Sequence, residues 1–144
     1  MSEFDKKSEE LRQYIDRVVH QLMLIQNDYL TTSAGELNNT ELKIISFIGK
    51  KGSCIMREVA EFANVPLSTL TGIMDKLVKK KLVSRERSDE DRRIVQLVLT
   101  ENGKSVFTTE QQNHLNLAKG MLTGLEELEQ NQLLNLLKKI TAGK

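Results

Sequence analysis

The chain opens on a long stretch in which apolar residues recur at intervals of three and four. Leu11, Ile15, Val18, Leu22, Ile25 and Tyr29 form one stripe, which Tyr14, Val19, Met23 and Leu30 widen. This spacing predicts an amphipathic helix over residues 5–30. The stripe is wide enough to pack both on the chain's own core and on a second subunit.

The middle of the chain alternates short helical patterns with turn residues. The stretch 31–39 is rich in Ser, Thr, Gly and Asn and is predicted to be a loop. A helix then begins with Asn39 or Thr40 as its N-cap and ends at Gly49 and Gly52. Its predicted apolar face consists of Leu42, Ile45 and Ile48. The apolar segment 53–56 is short enough for a brief strand.

Residues 57–79 read as two helices joined by a tight turn. Residues 57–63 predict a short helix buried through Val59, Phe62 and Ala63, and Asn64 tolerates the left-handed backbone that such turns use. After Pro66 a second helix has Leu70, Ile73, Met74, Leu77 and Val78 on one side. Its other side carries Ser68, Thr69, Thr71, Gly72, Lys76 and Lys79. The arrangement is typical of a helix-turn-helix.

Residues 83–99 follow the two-residue alternation of β-strands and predict a β-hairpin. Val83 begins an alternating segment, and residues 94–99 are rich in β-branched and aliphatic side chains. The charged segment 88–93 between them suits a solvated turn. A helix fits the major groove of DNA, and a thin basic loop can reach a neighbouring minor groove.

Two further helices are predicted at the C-terminal end. Thr100 can cap a helix that runs to about Leu122, with Gly120 and Gly124 interrupting it. Its apolar side is predicted to hold Phe107, His114, Leu115, Ala118, Met121 and Leu122. A leucine-rich helix follows over residues 126–140. Long amphipathic helices at both ends predict a homodimer, and a monomer with an unusually helical shell is the alternative.

Composition narrows the class of protein. The chain has 144 residues, of which 28% are charged, with one Pro, one Cys and no Trp. One domain over residues 1–144 is expected, mainly α with a small β-hairpin. Because no apolar run approaches a membrane span and no signal peptide opens the chain, we expect a cytoplasmic protein without membrane contact.

The charge of the chain is unevenly distributed. The net charge is +1, but residues 67–95 hold eight basic and five acidic residues, a local excess of +3. Phosphate neutralisation supplies much of the affinity for DNA, so this region is the expected contact. A solvated charged face is the other interpretation of this charge alone.

Four motifs resemble the MarR family of transcriptional regulators. They are Leu70–Leu77 (LTGIMDKL), Lys79–Val83 (KKKLV), Asp89–Arg93 (DEDRR) and Leu99–Gly103 (LTENG). The resemblance covers residues 37–107 by motif. It implies a winged helix-turn-helix over about residues 38–100, between dimerisation helices at about 5–30 and 101–141, that binds a pseudo-palindromic duplex DNA site as a homodimer.

The resemblance also assigns roles to particular side chains. The recognition helix of the family enters the major groove, which here implies Ser68, Thr69, Thr71, Gly72 and Lys76. The wing-tip arginine that enters the minor groove matches Arg93, and Asp91 matches the residue that holds it by a charge-assisted bond. Lys76, Lys79 and Arg92 are predicted to contact phosphates.

Three residues depart from the family pattern. Pro66 stands where the family often has a capping Ser or Asp. Leu67 stands where a polar residue is common, and Lys81 replaces the usual glycine between the helix and the hairpin. Lys81 would lower stability slightly if that position requires a positive φ. These departures leave the base preference open.

No other residues form a chemical site. Cys54 is interpreted as a buried structural thiol rather than an oxidant sensor. His20 and His114 lack metal-ligand spacing, and no nucleophile, paired carboxylates or phosphate loop is present. We therefore expect no enzyme, no metal and no cofactor.

A small-molecule effector is a further implication of the family resemblance. By position only, His20, Met23, Tyr29 and Phe47 could line a pocket for a phenolic or other hydrophobic ligand, and all four could equally belong to the core. The sequence thus predicts a homodimeric, ligand-responsive repressor. A winged-helix dimer that binds other proteins and has no specific DNA site is the alternative.

Overall fold

The computed structural model describes residues 1–30 and 37–143, and for residues 25–30 it describes the backbone only. The elements in this part of the chain are α1 (Glu3–Leu30), α2 (Asn39–Lys51), α3 (Met56–Ala63), α4 (Leu67–Lys79), β1 (Val83–Arg87), β2 (Val95–Leu99), α5 (Glu101–Thr123) and α6 (Glu127–Thr141). The strands form one antiparallel hairpin. The predicted class, mainly helical with a small β-hairpin wing, is confirmed.

The core lies among α2, α3, α4, the hairpin and the first turns of α5. The predicted apolar positions Leu42, Ile45, Ile48, Leu70, Met74 and Leu77 are all buried there, together with Leu97 and Val106. Removal of such side chains from water contributes roughly 1.5–3 kcal/mol each. The winged-helix part therefore has its own core, with α1 and α6 outside it.

The start and the end of α2 correct the prediction. The N-cap is Asn38, not Asn39 or Thr40. Asn38 Oδ1 accepts a hydrogen bond from the Glu41 backbone N–H at 2.8 Å, and Glu41 Oε1 accepts one from the Asn38 backbone N–H at 3.3 Å. This reciprocal pair satisfies two backbone donors. Gly52 ends the helix, as predicted, at φ 84°. Gly49 instead lies inside α2, where a Cβ would stand 2.5 Å from Phe107 Cδ2.

Two predictions for residues 53–63 also need correction. The expected strand is a single bridge, in which Cys54 and Leu97 exchange backbone hydrogen bonds of 3.2 and 2.7 Å. Phe62 is 47% exposed rather than buried, and its ring stacks on Phe47 with centroids 4.4 Å apart. The predicted turn at Asn64 is confirmed, with φ 54° and ψ 47°.

One hydroxyl joins the turn after α4 to the start of α5. Thr100 Oγ1 donates to the Lys81 carbonyl at 2.6 Å and accepts from the Gly103 N–H at 3.0 Å. Thr100 is thus the N-cap of α5, as predicted. Gly103 belongs to this junction, because a Cβ there would overlap the Leu82 carbonyl oxygen.

Lys81 adopts the conformation that its family position suggests, with φ 63°. A side chain at positive φ crowds the backbone, so we expect Lys81→Gly to raise the free energy of unfolding by about 0.5–1 kcal/mol. Lys79→Gly, two residues earlier at the end of α4, should lower it, because glycine weakens a helix. Urea denaturation of both variants at one protein concentration measures the effect; a loss of stability in Lys81→Gly would contradict the assignment of strain.

The terminal helices leave most of their apolar side chains exposed. The exposed residues of α1 include Phe4, Leu11, Tyr14, Ile15, Val19, Met23 and Leu24, and those of α6 are Leu128, Leu134, Leu136, Leu137 and Ile140. No residue of α6 is buried. In α5, Leu115 and Met121 are also exposed, while Gly103, Val106 and Glu110 are the buried positions that periodicity missed. Gly120 does not interrupt α5, which ends at Gly124.

Candidate nucleic-acid interface

Helix α4 is anchored on one side and free on the other. Leu70, Met74 and Leu77 have no exposed surface and fix the helix on the core. The predicted DNA-contacting residues Ser68, Thr69, Thr71, Gly72, Lys76 and Lys79 are all exposed. An outer face of short hydroxyl side chains followed by lysines can present hydrogen-bonding groups to bases and charge to phosphates.

The beginning of α4 departs from the usual cap, as the sequence indicates. Pro66 precedes the helix in an extended conformation and supplies no side-chain hydrogen bond to it. Leu67, the first helical residue, is 54% exposed. Because neither residue contributes to the core, both are accessible to a partner from outside.

The wing tip is a closed turn. Ser88, which is buried, donates its backbone N–H to the Ile94 carbonyl at 2.9 Å, and its Oγ accepts from the Glu90 N–H at 3.2 Å. Arg87 Nη1 donates to the Arg92 carbonyl at 2.8 Å. These bonds fix the backbone that carries the tip arginines.

Arg93 is held outward by Asp91. Asp91 Oδ1 accepts from Arg93 Nε at 3.1 Å and from its backbone N–H at 3.0 Å, and Oδ2 accepts from Nη2 at 3.0 Å. The Arg93 side chain is nevertheless 91% exposed. The arginine side chain lowers the pKa of the Asp91 carboxyl, so the pair is ionised at neutral pH and is lost only as the pH falls through that lowered pKa.

An ion pair that the sequence did not reveal ties the wing to α4. Arg85 Nη2 of β1 lies 2.7 Å from Asp75 Oδ1 of α4. No spacing rule links a helix position to a strand position ten residues later, so only the hairpin register could have shown it. The pair links the outer side of α4 to β1, and thereby to the hairpin that carries Arg93.

A known protein family matches this region of the chain. The MarR family model covers residues 37–95, which span α2 to the start of β2. The resemblance to the MarR family is therefore confirmed over these residues.

Two curated relatives are the uncharacterized HTH-type transcriptional regulators YfiV and YpoP of Bacillus subtilis. YfiV is 32% identical over 60% of this chain and 54% of its own length. YpoP is 34% identical over 58% of this chain and 59% of its own length. The matched region therefore spans somewhat more than half of each relative.

Two solved structures extend the likeness to nearly the whole fold. Streptococcus pneumoniae FabT in complex with DNA has a TM-score of 0.78 and 25% identity, covering 95% of this chain and 99% of FabT. The reduced form of MarR from E. coli has a TM-score of 0.70 and 27% identity, covering 91% of this chain and 96% of that one.

The four residues proposed for an effector pocket are not brought together by any described contact. His20 and Met23 are exposed on α1, and Phe47 packs on Phe62. The side chain of Tyr29 lies outside the described residues. An open groove of about 610 Å³ lies between α1 and α5, lined by Gln21, Leu24, Asn116, Leu117, Gly120 and Met121. The effector pocket stays a prediction.

Cys54 lies in the core beside the wing and is 2% exposed. Burial raises the pKa of its thiol to about 11, and the nearby Glu58 carboxylate adds to the rise. Since the thiolate is the reactive form, this environment favours the structural role predicted from the sequence.

We expect Cys54 to react with Ellman's reagent about 100-fold more slowly in the native protein than in concentrated guanidinium chloride at about pH 8. The reason is the small thiolate fraction together with the lack of access. A native rate close to the denatured one would instead identify Cys54 as a reactive, redox-accessible thiol.

No helix in the described part of the chain has the length and apolar content of a membrane span. Within residues 1–30 and 37–143, no three His, Cys, Asp or Glu side chains are grouped as metal ligands. His114 Nε2 lies 2.9 Å from the buried Glu110 Oε1. This contact joins two residues one turn apart on α5.

Proposed function

We propose that the protein is a sequence-specific DNA-binding transcriptional regulator that represses nearby genes from a pseudo-palindromic operator. The observation that carries the proposal is the outer face of α4, exposed throughout, together with Arg93 held outward at the wing tip by Asp91. The outer face of α4 fits a major groove, and Arg93 fits a minor groove. The likeness to the FabT–DNA complex supports the same assignment.

The proposed DNA-bound form is a homodimer. The exposed leucines of α6 and the exposed stripe of α1 leave an apolar surface that the single chain does not cover. Packing of these helices against a second copy would remove it from water. A two-fold dimer places its recognition helices about one helical turn apart on one side of the duplex.

Two finer features belong to the same proposal. A hydrophobic effector that binds more tightly to the conformation unable to bind the operator would lower operator affinity. The loss is set by the difference between the effector's affinities for the two conformations. We keep His20, Met23, Tyr29 and Phe47 as its candidate contacts. We also propose that the protein acts in the cytoplasm, since its proposed partner is chromosomal DNA.

Selection of bound fragments from genomic DNA, followed by titration over a salt series, tests the proposal. We expect an inverted repeat and a steep loss of affinity with salt. Lys76→Ala should weaken binding to all sequences and reduce the salt slope by about two, since each subunit of the dimer loses one phosphate contact. Arg93→Ala should weaken operator binding by about tenfold or more. Lys7→Ala removes an exposed lysine of α1 and serves as the matched control.

The rival function is a dimer that binds other proteins. Salt-insensitive binding or the absence of an enriched motif would favour that function. Equal losses in Lys7→Ala and Lys76→Ala would show that overall charge, and not the outer face of α4, determines the affinity. Arg93→Lys separates charge from shape, because lysine keeps the charge and lacks the flat guanidinium.

A further inference from the structure

Neither the backbone conformation nor the packing around Gly72 requires a glycine at this position. It lies in the interior of α4, where glycine is less favourable than alanine because it loses more backbone freedom. Its φ is not positive, and a Cβ built on it would meet no atom within 4 Å. Alanine would therefore fit the fold and strengthen the helix.

Other glycines of the winged helix have reasons inside the protein. Gly52 takes φ 84° at the end of α2. Gly49 and Gly103 are so close to Phe107 and Leu82 that a Cβ would overlap them. Among the described helical glycines, Gly120 shares with Gly72 the open space around its Cβ position, but it lines the groove between α1 and α5.

The surroundings of Gly72 indicate what approaches it. Ser68 and Lys76 lie one turn before and one turn after it, and Thr69 and Thr71 flank it on the same exposed side. Gly72 is therefore in the middle of the surface proposed to meet DNA. The absence of a side chain at that point is explained by a close approach from outside.

The widths of the helix and of the major groove leave little space between them. A helix with its side chains is about 10–12 Å wide, and the major groove is about 12 Å wide. A side chain in the middle of the inserted face would hold the helix axis away from the bases. Ser68 and Thr69 are short, so their hydroxyls reach base edges only when the helix lies deep in the groove.

We propose that Gly72 sets the depth at which α4 enters the major groove and thereby determines how strongly the protein discriminates its operator from other DNA. The inference rests on the proposed function. Long lysine side chains reach phosphates from a greater distance, so non-specific binding does not depend on this depth. Gly72 is thus a specificity-determining residue that acts through the absence of its side chain.

Gly72→Ala and Gly72→Leu in the full-length protein test the proposal, with Ser105→Ala on the exposed side of α5 as the control. Each substitution introduces a better helix former, so Gly72→Ala should raise the Tm by about 3 °C and Ser105→Ala by less. Operator affinity should fall about tenfold in Gly72→Ala and about 100-fold in Gly72→Leu, while Ser105→Ala binds normally. Affinity for a scrambled duplex and the salt slope should stay within about twofold of wild type in all three.

The outcomes separate this inference from the function on which it rests. Wild-type operator affinity in Gly72→Ala and Gly72→Leu would overturn the depth argument and leave the DNA-binding function intact. Equal losses of affinity for the operator and for the scrambled duplex would also overturn the depth argument, since discrimination between the two would be unchanged. A wild-type protein that selects no DNA sequence would overturn the proposed function and this inference with it.

Discussion

Leu136→Glu and Ile140→Glu, introduced together, should convert the protein into monomers and lower its operator affinity by about 100-fold or more. Both residues lie on α6, one turn apart, with exposed fractions of 59% and 65% in the single chain. Two carboxylates in the proposed interface would have to be buried without partners, which strongly opposes association. Sedimentation velocity and titration of an operator duplex measure the two effects.

The matched control adds the same charge elsewhere on the helix. Asn131 and Asn135 are also one turn apart and exposed, so Asn131→Glu with Asn135→Glu should leave the dimer intact. Far-ultraviolet circular dichroism should show that both double variants keep the helices of the winged-helix core, because that core contains no residue of α6. A double variant at Leu136 and Ile140 that remained dimeric with wild-type affinity would refute the assignment of α6 to the interface.

Gly103→Ala should lower the free energy of unfolding by about 3 kcal/mol. The new Cβ would overlap the Leu82 carbonyl oxygen and lie 3.3 Å from Leu99 Cβ, so α5 would have to move away from the turn after α4. The same movement would break the hydrogen bonds by which Thr100 joins Lys81 to the start of α5. Chemical denaturation at a fixed protein concentration measures the loss.

Lys104→Ala is the control for this substitution. Lys104 is the next residue of α5 and its side chain is 63% exposed, so its removal should change stability by no more than about 0.5 kcal/mol. If Gly103→Ala were as stable as this control, the close contact between α5 and the Leu82 turn would not exist in solution.

Much of the fold could be predicted because its determinants are local. The buried stripe of α4 follows from periodicity, the turn at Asn64 from the tolerance of asparagine for positive φ, and the start of α5 from the capping ability of Thr100. The exposure of the outer face of α4 follows from the same stripe, since a helix fixed on one side presents the other to solvent. Each inference needs only residues within a few positions of one another.

Other features depend on residues distant in the chain. The Asp75–Arg85 and Glu41–Lys80 ion pairs join separate elements, and periodicity does not predict which elements meet. Phe62 was expected in the core, but the core beneath α3 is filled by Val59 and Ala60, so Phe62 stacks on Phe47 at the surface. The Leu99–Gly103 motif was part of the resemblance to the MarR family, but it did not show that a Cβ at Gly103 would overlap the Leu82 carbonyl oxygen.

The division of α4 into a buried and an exposed side has a consequence for how proteins of this fold diverge. Leu70, Met74 and Leu77 hold the helix, and Ser68, Thr69, Gly72 and Lys76 contribute no buried side chain to the core. Exposed positions of this kind tolerate substitution with small changes in stability. Under the proposed function, duplicated copies of the gene can therefore acquire new operators through a few changes on one helix, while the scaffold, and with it the assembly of the protein, is inherited unchanged.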